Sequence, residues 1–280
     1  MSVRERITNA ADTLTSSERR LIKEILEKPR DVALGTAADL ARTAGVHEAT
    51  ASRLARKLGF AKYATFRDAV RDEFIVRTDP AVRVLNTLAH AGEGGVLEEL
   101  VAQEISALTS VTKYVTSRML RQAAQLLSKQ RKTFIFARGN AEALAVMMER
   151  RLRRFGLDVH RLQGDGRDLA EQVLDLRRGD TLLAFAFRRQ PRHFAALVER
   201  ARKVGAPSVV ISGSIGPTLL PAPDHLLYAP RAGSTEQFQT LTVPMAICNA
   251  LILSMAEINK GKSLRRLENL GELIEELENT

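Results

Sequence analysis

The segment from Thr36 to Phe60, TAADLARTAGVHEATASRLARKLGF, leaves little freedom in how it can fold. It reads as a helix from Ala37 to Thr43, a tight turn at Ala44-Gly45-Val46 and a second helix from Glu48 to Leu58. Gly45 is expected at positive φ, because it has no Cβ to clash there. In the first helix Leu40 and Ala41 point inward. In the second, Ala51, Leu54, Ala55 and Leu58 recur on one face at helical spacing. The opposite face carries Ala49, Ser52, Arg53 and Arg56, flanked by Thr50 and Lys57. One side packs and the other is small, polar and cationic, the division that reading a DNA major groove requires. Ordinary helical pairs with a solvated basic face show the same pattern, so the flanking sequence carries weight. Thr15 and Glu18 are spaced as a capping box. The helix they start turns Leu21, Ile22, Ile25 and Leu26 inward and is expected to stop at Pro29. Tyr63, Phe66, Val70 and Phe74 form an apolar stripe on a further helix. A three- to five-helix bundle around the turn supplies the core that a small DNA-binding domain needs.

Charge is consistent with this and does not decide it. The chain of 280 residues carries a formal charge of +9. That balance suits a polyanionic partner, as it would a ribosome-associated or membrane-surface protein. Arg42 to Arg67 holds six basic residues and one acid, Glu48, so phosphate contacts are expected there. A second basic cluster, Arg150-Arg151-Leu152-Arg153-Arg154, reads as the solvated face of an amphipathic helix or as another phosphate-contacting surface. The single cysteine, Cys248, excludes an intrachain disulfide and a thiolate metal cluster, and its apolar surroundings predict burial. The opening MSVRERITNAAD has no apolar leader core. The longest apolar region, Leu241 to Ala256, is interrupted by Pro244 and Asn249. These features predict a cytoplasmic protein with no membrane partner, no cofactor and no metal.

The length predicts two domains. A helix-turn-helix domain is expected over 1–77, a helical linker over 78–130, an α/β domain over 131–260 and an amphipathic C-terminal helix over 261–280. The glycines of 91–95 mark a break. From Lys132 the pattern alternates strand and helix, with strands at Thr133–Ala137, Asp158–Leu162, Asp180–Phe187, Ser208–Ser212 and His225–Tyr228. Intervening helices are expected at Ala141–Phe155, from Pro191 to about Val204 and from about Glu236 to Asn259. Strands separated by helices imply right-handed crossovers and a five-stranded parallel sheet covered on both faces, a three-layer α/β fold.

Both halves resemble one family, the RpiR-type bacterial transcriptional regulators, which join an N-terminal helix-turn-helix domain to a C-terminal SIS (sugar isomerase) domain. The N-terminal likeness lies in Leu14-Thr15 to Pro29, Ala38-Asp39-Leu40-Ala41, Ala44-Gly45-Val46, Glu48-Ala49-Thr50, Arg53, and Arg56-Lys57-Leu58-Gly59-Phe60 followed by Tyr63 and Phe66. The family has serine where His47 stands, and histidine caps a helix less well. His47 is expected at a phosphate, at a base edge or in solvent. The SIS likeness is good in the order of elements and poor at the ligand loops. After the first strand, Gly139-Asn140-Ala141 keeps one glycine and puts alanine at the family's serine. After the third strand the family's Ser-x-Ser-Gly cradle is replaced by Ala186-Phe187-Arg188-Arg189, with Arg192 close behind. After the fourth, Ser212-Gly213-Ser214 keeps the small polar character.

These departures shape the expected sites. Ala49, Thr50, Ser52 and Arg53 are expected at base edges; Arg56, Lys57, Lys62 and the start of the Tyr63 helix at phosphates. Gly139, Asn140, Ala141, Arg188, Arg189, Ser212, Ser214 and Glu236 are the candidate effector residues. Serine hydroxyls and close backbone N–H groups form a phosphate cradle that arginines cannot copy. Arg188 and Arg189 can instead grip a carboxylate or phosphate through guanidinium forks. The pocket therefore takes a different acidic or phosphosugar effector, or is vestigial; the two arginines alternatively form a solvated loop or bridge to a neighbouring subunit. The resemblance implies double-stranded DNA as partner and a homodimer or homotetramer. The rival readings are a SIS-fold sugar-phosphate isomerase, with Glu236, His193 or His225 as general base, and a scaffold binding DNA without sequence choice.

Overall fold

The computed structural model describes residues 3–70, 80–91, 95–233 and 237–279. Phe74, the Thr78-Asp79 boundary, the glycines at 92 and 94, and Glu236 lie outside the described residues. The N-terminal bundle consists of α1 (Val3–Ala10), a 3₁₀ turn (Ala11–Thr13), α2 (Ser16–Glu27), α3 (Pro29–Leu34), α4 (Ala37–Thr43), α5 (Glu48–Lys57) and α6 (Tyr63–Val70). Two reciprocal capping boxes set its registers. Thr15 and Glu18 start α2, and Thr36 and Asp39 start α4. Gly45 has φ +63° and turns the chain from α4 into α5. Pro29 acts differently from expectation: α2 ends two residues earlier, and the proline opens α3, where its missing N–H costs nothing. The bundle core gathers Leu21, Ile22 and Ile25 of α2, Leu40 and Ala41 of α4, Leu54 and Ala55 of α5, and Phe66 and Val70 of α6. Phe66 is fully buried, and burying such a ring contributes about 2–3 kcal/mol.

Three further helices, α7 (Pro80–His90), α8 (Val96–Val111) and α9 (Ser117–Lys129), lead to the sheet. Its strands are β1 (Lys132–Phe136), β2 (Asp158–Leu162), β3 (Thr181–Ala186), β4 (Ser208–Ser212) and β5 (His225–Tyr228). They run parallel in the order β2-β1-β3-β4-β5. β3 is buried along its whole length, which explains its unbroken apolar run. One face of the sheet packs on α9, α10 (Glu142–Arg154) and α13 (Thr242–Ile258) through Leu127, Leu144, Met148, Ile247 and Leu251. The other packs on α11 (Gly166–Gln172) and α12 (Phe194–Val204) through Leu169, Phe194, Leu197 and Val198. Cys248 is buried in the first of these cores.

Within the α/β domain three elements differ from the sequence reading by more than one residue at an end. α11 was not foreseen; seven residues opening on glycine give no clear helical period, and an Asp165–Asp168 capping box holds its start. α12 begins at Phe194, not at Pro191, because His193 takes a left-handed conformation with φ 67°. α13 begins at Thr242 and carries Pro244 within its first turn, where a missing N–H is tolerated. α14 (Lys260–Glu278) is the last helix among the described residues, and its leucines are exposed except at Leu270, which is half-buried. Among the described residues no single helix is long and apolar enough to cross a membrane.

The order of the strands positions the functional crevice. The chain steps outward from β1 to β2, then returns across β1 to β3 and continues the other way. The loops leaving β1 and β3 therefore diverge, and a crevice opens at the carboxyl ends of those strands. The helical bundle lies against the same end. Thr8 Oγ1 donates to the carbonyl of Ser214 at 3.3 Å, and Arg19 Nη1 donates to that of Pro217 at 3.2 Å.

Candidate functional site: a nucleic-acid interface and an anion cleft

α5 is held from three sides. His47 caps its start: Nδ1 accepts from the Ala49 N–H at 3.2 Å. That bond requires the neutral ring with its proton on Nε2, which leaves a donor at the exposed edge. At the other end Arg6 of α1 donates to the carbonyls of Leu58 (2.9 Å) and Gly59 (3.0 Å). A cation there complements the negative helix terminus. The same guanidinium lies 4.6 Å from the centre of the Phe60 ring. Arg20 of α2 donates to the carbonyl of Gly45 at 3.2 Å and pins the turn. Ala51, Leu54 and Ala55 are buried, while Ala49, Arg53 and Arg56 are exposed and Thr50 and Ser52 half-buried. Arg53 Nη2 lies 3.5 Å from Thr50 Oγ1, along the exposed face. Lys62 is also exposed.

Two residues of the expected interface turn away from it. Lys57 Nζ reaches back to Glu18 Oε2 (2.8 Å) and to the carbonyl of Thr13 (2.7 Å). Its long stem leaves the flank of α5 and ties it to the start of α2, so it is part of the bundle's frame. Tyr63 packs its ring on Phe66, with centroids 5.7 Å apart, and its hydroxyl is buried without a partner among the described residues. Burial pushes that phenol up to about 12. The Lys57 pair has a testable signature. Desolvation alone would raise the Glu18 carboxyl, but the hydrogen bonds from Lys57 and Thr15 outweigh it and leave its pKa below the ordinary value. A depressed carboxylate stabilises the fold fully above its unfolded pKa, and that contribution is lost as pH falls through the folded one. Lys57→Ala should therefore cost the bundle about 1–3 kcal/mol near neutrality and flatten the acid limb of its stability profile. Urea unfolding as a function of pH reads both; an unchanged acid limb would count against the pair.

The crevice at the ends of β1 and β3 is a cleft of about 990 Å³. That is at the upper end of metabolite-sized sites. Among the described residues its walls carry seven lysine and arginine side chains against two carboxylates, Glu27 and Asp165. From the β1 loop come Arg138, Gly139, Asn140 and Ala141; from the β3 loop come Phe187, Arg188, Arg189, Gln190, Arg192 and His193. Both loops are braced. Arg138 donates to the carbonyls of Ala137 (2.9 Å) and Leu162 (3.2 Å) and lies over the Phe136 ring. Ser212 Oγ donates to the Ala186 carbonyl, where the arginine loop leaves β3. Gly213 allows the next approach, since a Cβ there would lie 2.8 Å from the Phe187 carbonyl oxygen. Gln190 exchanges two hydrogen bonds of 2.9 Å with the main chain of Leu220. His193 pairs with Asp165, which Arg192 also reaches at 3.2 Å. The hydrogen bond from His193, then that from the Gly166 N–H, holds the Asp165 carboxyl below its ordinary range. His193 is the non-glycine residue with positive φ among those described, and such a conformation persists only where its surroundings impose it.

One further cation enters from the chain after β5. Arg231 lies over the Phe187 ring, 5.0 Å from its centre, and its Nε is buried without a hydrogen-bond partner among the described residues. Burial pulls its guanidinium down to about 10, against the opposing pull of the Glu104 carboxylate. Arg231 thus adds a largely desolvated cation to the cleft wall, where a bound anion would be attracted.

The two halves of this arrangement have separate counterparts among known proteins. Residues 1–76 match the helix-turn-helix domain of the rpiR family, and residues 126–254 match the SIS domain. The chain belongs to the RpiR family of transcriptional regulators. Among its relatives is the HTH-type transcriptional regulator HexR of Pseudomonas aeruginosa, 24% identical over 85% of this chain and 82% of that protein. An uncharacterized HTH-type transcriptional regulator of Haemophilus influenzae is 21% identical over 81% and 79%. Among solved structures, the Vibrio vulnificus NanR protein complexed with ManNAc-6P superposes with a TM-score of 0.58 at 18% identity, covering 99% of both chains. The sugar isomerase domain of an RpiR transcription factor from Sphaerobacter thermophilus gives 0.56 at 20% identity, over 61% of this chain and 96% of that one. These likenesses establish the α/β SIS fold and the helical N-terminal domain.

Within this RpiR protein the expected effector residues divide. Gly139, Asn140, Ala141, Arg188 and Arg189 line the cleft together. Ser212 and Ser214 do not: the first spends its hydroxyl on Ala186, and the second offers its carbonyl to Thr8 of the DNA-binding domain. Glu236 lies outside the described residues. Sequence reasoning missed Arg138, Arg231, Asp165, Lys23 and Glu27 as lining residues. The basic run Arg150–Arg154 falls on α10, where Leu152 is buried, the four arginines are exposed, and Arg153 pairs with Glu149 at 2.9 Å.

Proposed function

We propose that this RpiR regulator reads a specific duplex sequence with α5 and responds to an acidic metabolite in the arginine-lined cleft. The observation that carries the reading is the exposure of Ala49, Arg53 and Arg56 on a helix fixed at both ends and at its leading turn. Arg53 addresses a base edge, with Ala49, Thr50 and Ser52 around it. Arg56 and Lys62 hold phosphates, and the outward Nε2 of His47 joins them. The cleft takes a phosphosugar or sugar acid through Arg188, Arg189 and Arg231. The NanR fold neighbour, solved with a phosphosugar, supports that class of ligand.

Domain limits of 1–77, 78–130, 131–260 and 261–280 describe this division of labour, with the protein working as a homo-oligomer. Exposed Leu85 and Leu88 on α7, Leu97, Val101 and Ile105 on α8, and Leu264, Leu273, Ile274 and Leu277 on α14 support self-association. We read the protein as non-enzymatic. His193 is engaged by Asp165, and His225 opens β5, so it sits at the end of the sheet opposite the cleft. His225 is thus remote from a bound sugar, and His193, which lines the cleft, has its Nε2 committed to Asp165.

Selection of bound sequences from a random duplex pool tests this reading. We expect two half-sites about 10 base pairs apart, or a multiple of that, reflecting a two-fold pair of reading helices. Recovery without any motif, with binding that falls steeply in salt on all sequences alike, would establish a scaffold instead.

A further inference from the structure

The anion cleft is not confined to the SIS domain. Lys23 and Glu27, one turn apart on α2, line it from the DNA-binding domain, and Arg83 lines it from α7. Their contribution places the cleft against α2 of the DNA-binding domain. A second connection runs through the main chain. Gln190, between Arg189 and Pro191, is clamped to Leu220. The same β4–β5 segment carries Ser214 and Pro217, whose carbonyls accept from Thr8 and Arg19 of the DNA-binding domain. Whatever moves the arginine loop is thus mechanically joined to the segment on which the first domain rests. The volume of about 990 Å³ far exceeds an inorganic phosphate. The cations stand on separate elements: Arg138 after β1, Arg188 and Arg189 after β3, Arg231 after β5, and Lys23 on α2. A ligand with a single anionic group cannot engage all of them; one with an anionic group at each end can reach from the sheet to α2.

We propose that the cleft is a site shared by the two domains, filled by a metabolite with an anionic group at each end, such as a phosphorylated sugar acid. The SIS arginines hold one end and Lys23 holds the other. Occupancy then fixes the DNA-binding domain against the SIS domain and presents α5 in one orientation. Coupling follows from differential affinity: the ligand binds the arrangement in which Lys23 is close more tightly than any in which it is not. Glu27 sets the sign of its own contribution. Its carboxylate opposes an anion in the cleft, and burial already disfavours its charged form.

This inference rests on the anion-effector reading and is separable from it. Calorimetry on the full chain with 6-phosphogluconate, glucose 6-phosphate and inorganic phosphate provides the test. The wild type should bind 6-phosphogluconate at least 10-fold more tightly than glucose 6-phosphate (about 1.4 kcal/mol per tenfold). Lys23→Ala and Lys23→Gln should remove that advantage while leaving glucose 6-phosphate binding in place, and Glu27→Gln should tighten both. In parallel, 6-phosphogluconate should slow amide hydrogen exchange across α2 in the wild type and not in Lys23→Ala. If Lys23→Ala binds both sugars as the wild type does while Arg188→Ala with Arg189→Ala binds neither, the shared site is overturned and the SIS effector site survives. If the wild type binds none of the three probes at millimolar concentration, the effector reading falls, and the shared site with it.

Discussion

Arg53→Ala should relax sequence discrimination at one base pair of each half-site and leave the remaining preferences intact. Arg53 is exposed at the middle of α5, between Ala49 and Arg56 on the face opposite Leu54 and Ala55. An arginine set bidentate on guanine contributes about 1–3 kcal/mol of discrimination, so the preferred base should lose about 5- to 150-fold of its advantage. Arg56→Ala should behave differently. A phosphate contact carries no base information, so its loss should weaken all sequences alike and shallow the salt dependence by about one ion. Binding of each variant to a panel of singly substituted duplexes, at two salt concentrations, separates these roles. If Arg53→Ala weakens every duplex equally, Arg53 holds a phosphate, and the register of α5 in the groove must rotate.

That prediction depends on features legible in the chain. The limits of α4 and the start of α5 follow from local chemistry: Thr36 and Asp39 cap one helix, and Gly45 turns into the next. Strands β4 and β5 likewise stand where short, largely apolar runs are bounded by polar or glycine residues, and β2 stands where Val159 and Leu162 are the buried positions of a mostly polar segment. Directions of long side chains are less legible. Lys57 sits on the flank of its helical wheel, and only the fold brings Glu18 and the Thr13 carbonyl within its reach. His47 looked a poor cap by residue type, yet Nδ1 lies at the right distance for the Ala49 N–H. The cleft was half legible. Its two loops follow from the strand pattern and from the reversal of strand order between β1 and β3. Lys23 and Arg231 join it from more than 150 residues before and 40 residues after the arginine loop, through packing that no local period encodes. His193 escaped for another reason: proline two residues earlier is a common helix start, and the Asp165 pairing that holds the left-handed residue is a tertiary contact.

Arg188→Ala combined with Arg189→Ala should abolish the response to an anionic effector while leaving the fold and the DNA preference in place. Arg188 stands where the family's loop has its second serine and Arg189 where it has glycine, so the cleft cannot wrap a phosphate in serine hydroxyls and backbone N–H groups. Recognition must pass through guanidinium groups. A hydrogen bond to a charged group contributes about 1.5–3 kcal/mol, so losing two should weaken binding by at least 100-fold. Thermal denaturation gives a clear readout. An effector at 100 times its Kd stabilises the native state by about 2.7 kcal/mol, and that raises the Tm of a domain this size by about 5–10 °C. In the double variant the same concentration should give a shift near zero. Arg231→Ala should give an intermediate loss, since it removes one cation from the cleft wall, held over the Phe187 ring. A full-sized shift in the double variant would mean that the two arginines only decorate a solvated loop and that the ligand lies elsewhere. Loss of the shift together with loss of base preference in the absence of effector would instead mean that the loop supports the DNA-binding domain directly, through Gln190, Leu220 and the Pro217 carbonyl that accepts from Arg19.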